Sequence, residues 1–533
     1  MSERQFLLGV DVGTTHCKAL LFDDSGRVEA AASVDTITHH DPAGTYYYRP
    51  DELWATVAGV IRRVMAAITP SEVAGVCIAS MAESGLPLGG DNQPVYPIIP
   101  YFDETSAEQA REITALFGKT ELFKLTGLNV SPIPSLTKLR WLQRNETAVF
   151  AKTRKWLCIP DYLNYRLTGE MVTDYSIASR TMAFEVFSRQ WSERILGAVG
   201  MSPELFPEAV PSGTRIGTVT REAARFTGIG EGVPVIAGGH DHFCGSLGAG
   251  LLLGNRLLDS SGSAESLHGL LGADVERIED FVGFSVGNYV DGRSFYAGGG
   301  FNSSGISVDW IVGRCAALGD WSETAETGPF DYETIMGRAF QRPPGANQLL
   351  FLPHLRGSGF PDWDNHSRGS FVGLRAFHRA PDLVRAVLEG VCFELRSILE
   401  RLRRLIPDDV RQITTMGGGA RNHYWLQIKA DILGLPVEVP VVKEATALGA
   451  ALLAGVGTGI YADLYEATRR TYRVDQRFLP DPGLGAAYDE LYRLNRQLYP
   501  LLKGIHRDLT QLAERKTGAG QKDLKAGGQH EAV

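Results

Sequence analysis

The chain has 533 residues, 44% hydrophobic and 22% charged, with 60 glycines, a globular composition long enough for two large domains. Its 53 basic and 62 acidic side chains leave a formal charge of -9, and the basic ones are scattered, so nothing offers the positive stripe that nucleic acid needs. Six widely spaced cysteines with no CxxC suit buried, reduced thiols better than disulfides or zinc, and no apolar run approaches the ~20 residues of a membrane span.

The N-terminus runs straight into an apolar strand, unlike a signal or transit peptide, which makes the cytoplasm the default compartment. Phe6 to Val12, then GTTHCK, then ALLFDDSGRV read as strand, turn and strand, a β-hairpin with a polar tip. Asp11 is delivered to the sheet edge, Gly13 permits close backbone approach, and Thr14, Thr15 and Lys18 offer donors. That set suits a phosphate beside a metal ion, with Asp11 holding Mg²⁺ through water; a plain hairpin tip explains the same residues as well. VCIASMAESGLPL is an apolar strand running into small polar residues, and YFDETS follows it. Asp174 in TDYS is expected to cap a helix or hold a loop.

EGVPVIAGGHDHFCG places one carboxylate, Asp241, between two histidines after a strand and two glycines. Alone it reads as a polar tight turn, and histidines two apart on a strand would face opposite sides, which argues against a metal pair. NRLLDSSGSAESLHG repeats the strand, small turn and strand of the N-terminus, so two related domains are expected, dividing near Leu251 to Gly254. Its GSAES turn is a second donor-rich tip, able to grip a polyphosphate from the side opposite the first. Pro381 to Leu405 carries an apolar stripe through Leu383, Val384, Val387, Leu388 and Val391 and is expected to be a core-facing helix. In QITTMGGGARNHYWLQIKADILG a strand meets three glycines and a helix marked by Trp425, Ile428, Ile432 and Leu433. Gly417 to Gly419 leave room for a base or ribose against bare backbone, or serve helix packing; the run is neither a Walker loop nor a dinucleotide fingerprint. Alternation of strand, glycines and helix predicts α/β layering. After about residue 507 apolar periodicity fades and a flexible tail is expected.

DVGTTHCK, DYLNYRLTGE with TDYS, AGGHDHFCGSLGAG, SSGSAES, FLPHLRG, RGSFVGL, and GGGARNHYWLQIKADILGLPVEVP with EATALGAALLAG occur in an order and spacing that resembles the FGGY family of carbohydrate kinases, from about residue 6 to about residue 505. The resemblance implies an α/β chain of two actin-like (ribonuclease-H-like) domains: 1–250 for sugar binding and the catalytic base, 251–507 for nucleotide, and 508–533 as the tail. ATP and a small sugar or polyol would meet in the cleft between them. It implies Asp241 as the base that accepts the substrate hydroxyl proton, with Glu83, Asp103 and Tyr101 or Phe102 contacting the acceptor. His240 and His242 would contact substrate hydroxyls, orient Asp241, or simply bond to backbone. Thr14, Thr15, Lys18, Gly262, Ser263, Gly305, Gly417, Gly418, Gly419 and Asn422 would bind ATP, and Asp11 the Mg²⁺. The resemblance also admits a homodimer. Met81-Ala82-Glu83 lacks both the Gln-Met-His triplet of the xylulokinase-like branch and the Arg-Glu pair of the glycerol-kinase-like branch, which leaves the individual sugar unassigned. Two other functions fit an actin-like chain, a nucleotide switch for protein partners and a silent sugar-binding regulator. The sugar-side segments count against the first, and Asp11 with Asp241 against the second.

Overall fold

The computed structural model describes residues 5–526 apart from 43, 274, 276–277, 319–330 and 408; the side chains of 316–318 and 514–526 also lie outside the description. Two sheets organise it. The first contains β1 (Phe6–Val12), β2 (His16–Phe22), β3 (Val28–Asp35), β4 (Val73–Ser80), β5 (Arg215–Thr218) and β6 (Pro234–His240), in the order β5-β6-β4-β1-β2-β3. β4 runs parallel to β1 and to β6, whereas the remaining pairs are antiparallel. Central parallel strands are covered on both faces, which is why FLLGVDV and VAGVCIAS are nearly continuous apolar runs.

The second sheet contains β7 (Arg256–Ser261), β8 (Glu265–Gly272), β9 (Ser285–Asn288), β10 (Phe295–Phe301), β11 (Gln412–Met416), β12 (Val437–Pro440) and β13 (Val474–Phe478), in the order β9-β10-β8-β7-β11-β12-β13. β7 pairs antiparallel with β8 and parallel with β11, as β1 does with β2 and β4, so the repeat seen in the sequence is a repeat of topology. The expected hairpins, the helix over Ala380–Leu405 and the helix over His423–Leu433 are all present.

The halves meet through two helices, α1 (Asp241–Gly248), which continues from β6, and α2 (Ala445–Gly457) from the second half. α2 buries its alanines against Leu7, Ile236 and Leu247 of the first half. Glycine makes the approach possible: a Cβ on Gly449 would lie 1.8 Å from the Cys244 carbonyl oxygen, and one on Gly9 would lie 1.9 Å from that of Ala447.

The stretch expected to be a flexible tail from residue 508 is helical as far as Ala526, at the end of α3 (Gly485–Ala526). Its Leu, Gln, Glu, Arg, Lys and Ala residues are strong helix formers, which is enough to carry an established helix onward without an apolar stripe. Residues 527–533 lie outside the description. All six cysteines are free and buried, as expected. Among the described residues no helix is long and apolar enough to cross a membrane.

Candidate active site

Parallel register brings the chemistry to one edge. Asp11 and Gly239 both pair with Ala79, and His240 pairs with Ser80, so Asp11, the 81–83 segment and Asp241 leave the same end of β1, β4 and β6. Open α/β sheets hold ligands at this carboxyl end. Asp241 opens α1, where the helix dipole favours negative charge. Its Oδ1 accepts the His242 backbone N–H at 2.7 Å, and its carbonyl accepts from Thr446 Oγ1 of the second half at 3.4 Å. Burial, and then the charge of Asp241, push the Asp11 carboxyl up to about 7, with Lys18 opposing. Lys18 Nζ itself lies 2.6 Å from Glu444 Oε2, just before α2, and so ties the two halves together. Thr14 and Thr15 occupy the tip beside it, with the Thr15 carbonyl accepting from Thr36 N–H.

The two histidines do not face opposite sides. The chain changes from strand to helix at Asp241, so strand alternation stops applying, and the His240 and His242 rings stack 5.1 Å apart at 18°. His240 Nε2 stands 3.6 Å from Asp241 Oδ1, and its backbone N–H donates to Ser176 Oγ at 2.9 Å. A third ring, His268 on β8, lies 5.8 Å from His242. Burial, reinforced by neighbouring His242 and Arg180, holds His240 well below the ordinary imidazole range and His268 down to about 3. Both are therefore neutral, and the Nδ1 of each is buried without a hydrogen-bond partner among the described residues.

Glu83 is 4% exposed and has a left-handed backbone, φ +62°, a strained conformation of the kind that collects at functional sites. Arg180 grips its Oε1 with Nε at 2.6 Å and Nη2 at 2.5 Å, while Nη1 donates to Ser285 Oγ and, at 3.4 Å, to Tyr296 OH. Tyr101 joins this group: burial raises its phenol, which bonds with Thr14 and feels the charges of Asp241 and Glu83. Asp103 is turned to holding its own loop, with Oδ1 accepting from Thr105 N–H at 3.0 Å and from the Thr105 hydroxyl, and Oδ2 from Tyr46 N–H at 3.3 Å. Lys138, 1% exposed, donates to the carbonyls of Tyr101, Pro132 and Ile133, and burial lowers it to about 8. Asp174 caps the short helix Tyr175–Ala178, as expected, through Ser176 N–H at 2.8 Å and Ile177 N–H at 3.3 Å.

The second half repeats the arrangement at the ends of β7 and β11. A Cβ on Gly305 would lie 2.6 Å from the Gly262 carbonyl, and one on Gly417, φ +90°, would lie 2.6 Å from that of Ser261, so these turns are in backbone contact. The Ser263 carbonyl accepts from Ser304 N–H at 3.2 Å. Gly419 packs on Ser261, whereas Gly418 faces open space. Asn422 caps the following helix by accepting from Trp425 N–H at 3.0 Å, and its amide donates to Tyr332 OH at 3.2 Å. Under the turns Lys429 Nζ contacts Asp259 Oδ2 at 2.6 Å and Glu265 Oε1 at 2.5 Å, all three side chains being 0–1% exposed.

Sequence reasoning missed Arg180, His268, Lys138, Lys429 and Glu444. Arg180, Lys429 and Glu444 have partners far along the chain, 97 residues from Arg180 to Glu83 and 170 from Lys429 to Asp259, and no local pattern announces such pairs. Asp259 was within reach, because it precedes its glycine turn much as Asp11 precedes Gly13.

The family model for the FGGY family of carbohydrate kinases, N-terminal domain, matches residues 6–248, and that for the C-terminal domain matches residues 266–458. The chain belongs to the FGGY family of carbohydrate kinases. This kinase is 29% identical over 512 residues to the xylulose kinase of Lactococcus lactis subsp. lactis (strain IL1403), covering 95% of the chain and 99% of the relative. It is 27% identical over 514 residues to the gluconokinase of Bacillus subtilis (strain 168), covering 96% and 98%. The crystal structure of xylulose kinase from Rhodospirillum rubrum superposes with a TM-score of 0.85 at 26% identity, covering 94% of the kinase and all of that chain. The fold is thus the two-domain, actin-like and ribonuclease-H-like α/β fold of these enzymes, and the kinase uses ATP to phosphorylate a carbohydrate.

Proposed function

We propose that the kinase transfers the γ-phosphoryl group of ATP to a hydroxyl of a small, uncharged sugar or polyol, with Asp241 as the general base. The observation that carries this reading is the emergence of Asp241 and Asp11 from one sheet edge, close enough that the charge of one raises the other. In phosphoryl transfer the protein mainly positions groups and offsets charge, so one oriented carboxylate suffices to take the hydroxyl proton. Asp11 fits a cation, because its buried carboxyl is penalised by burial and by Asp241, and a bound cation would relieve both. Mg²⁺ held there would offset charge on the transferring phosphates. Residues 1–250 then serve the acceptor, with Glu83, Tyr101, His240 and His242 around it, and 251–507 serve the nucleotide through Gly262, Ser263, Gly305, Gly417, Gly418 and Asn422.

The charge pattern favours an uncharged acceptor. Arg180 is spent on Glu83, Ser285 and Tyr296, Lys138 on three carbonyls, and Lys18 on Glu444, while His240 and His268 are neutral. A substrate carboxylate would meet Asp11 and Asp241 with no cation to spare among these groups, whereas hydroxyls can donate to carboxylates such as Glu83. Release of ADP with ketopentoses, alditols and aldonates tests the reading. Expected is a kcat/KM for some uncharged acceptor at least about tenfold above that for gluconate, a difference of ~1.4 kcal/mol. Preference for an aldonate would overturn the uncharged class, and silence with every acceptor would overturn the reaction.

A further inference from the structure

A cavity of about 230 Å³ opens in the second half between the 354–362 loop, the helix Ala380–Leu405 and α3. It shares no residue with the acceptor and nucleotide groups above. The loop begins in the FLPHLRG motif, to which phosphoryl transfer assigns no task. We infer that this cavity is a second binding site for an uncharged polyhydroxylated molecule, a sugar or polyol, coupled through its loop to the nucleotide turn.

The first support is a buried group that lacks a partner. His354 is 3% exposed, and its Nδ1 is tied to Ser367 Oγ at 2.7 Å. His354 is one of the cavity's lining residues, and its Nε2, sealed from solvent, faces Glu394 Oε1 at 3.4 Å without forming a hydrogen bond among the described residues. A buried polar atom without a hydrogen bond is unfavourable, so a shift of this loop that brings a ligand hydroxyl to it would be favoured. The second support is the character of the walls. Arg496 and Lys503 from α3 are matched in number by Asp362 and Glu394, so the walls favour neither an anion nor a cation. Phe360 and Tyr499 add ring faces. Carboxylates accept from neighbouring hydroxyls, arginine and lysine donate to them, and rings cover C–H faces, which is the surface a sugar presents. At ~30 Å³ per water, the volume equals about seven or eight waters, enough for a pentitol or hexose.

The loop is also bonded toward the nucleotide side. Arg356 N–H donates to Ser303 Oγ at 2.9 Å and Phe360 N–H to the Gly300 carbonyl at 2.8 Å. The next residue, Ser304, reaches the Ser263 carbonyl and Glu265. By linkage, a ligand that shifts this segment changes ATP affinity, and ATP changes the ligand's affinity equally.

Calorimetric titration of ribitol, D-xylulose, glucose and inorganic phosphate into the full chain tests the inference, alongside Lys503→Glu and Glu394→Gln. Expected are two equivalents of at least one uncharged probe, one equivalent in either variant with kcat retained, and an ATP Kd moved at least about twofold by the probe in the parent only. A single equivalent for every uncharged probe, or a second that both variants keep, would overturn the site. Phosphate competing for the second equivalent would overturn the uncharged class, and an ATP Kd unmoved by the probe would overturn the coupling.

Discussion

Replacing Lys429 with methionine removes the ammonium that lies between Asp259 and Glu265 beneath the Gly262 turn. All three side chains are 0–1% exposed, so no solvent screens what remains. Removing one partner of a buried ion pair costs roughly 3–5 kcal/mol. For a domain of this size each kcal/mol lowers Tm by roughly 2–4 °C, so a loss of about 6–20 °C is expected. The pH dependence has a sign. Burial first, and the charge of Glu265 next, hold the Asp259 carboxyl above the ordinary carboxylate range, and Lys429 works against them. A carboxyl raised in the folded state loses stability as pH climbs from its unfolded value through its folded one, and without Lys429 the rise is larger. The variant's deficit should therefore be smaller near about pH 5 than near about pH 8. Calorimetric unfolding at both pH values, with the KM for ATP, makes the test. A Tm change under about 2 °C, or a deficit that grows on acidification, would refute the reasoning.

Arg180→Met should raise the acceptor KM at least about tenfold by freeing Glu83, and Arg180→Lys should not rescue it, because an ammonium cannot supply the two-pronged grip; initial rates against acceptor concentration measure both. With Asp11 at about 7, turnover at limiting Mg²⁺ should fall as pH drops through neutrality, since the protonated carboxyl holds a cation poorly, and excess Mg²⁺ should move the fall to lower pH. A pH–rate profile identical at both metal levels would contradict this. Gly449→Ala places a methyl 1.8 Å from the carbonyl of Cys244 in the helix that carries Asp241, so Tm and kcat should drop together, with a stability loss of roughly 1–3 kcal/mol or more on thermal unfolding.

Much of this architecture is legible in the sequence because it is local. The two hairpins, the strand leading to Asp241 and the glycines at 417–419 are each spelled out within a dozen residues. What stays hidden depends on the chain returning from a distance: Arg180 on Glu83, His268 on β8 beside His242, Lys429 under a turn 170 residues earlier. Asp103 shows the limit from the other side, since its loop-holding bonds to Thr105 and Tyr46 cannot be told from a substrate contact by residue type. The histidine pair shows how a sound periodicity rule fails at a junction, where alternation ends one residue before it would have applied.

The most direct test of the account is Asp241→Asn, assayed for acceptor-dependent ADP release together with ATP binding. kcat should fall ~10²- to 10⁴-fold with ATP affinity little changed, because the amide keeps the side chain's shape and loses only the ability to take the proton. Full turnover by that variant would contradict it.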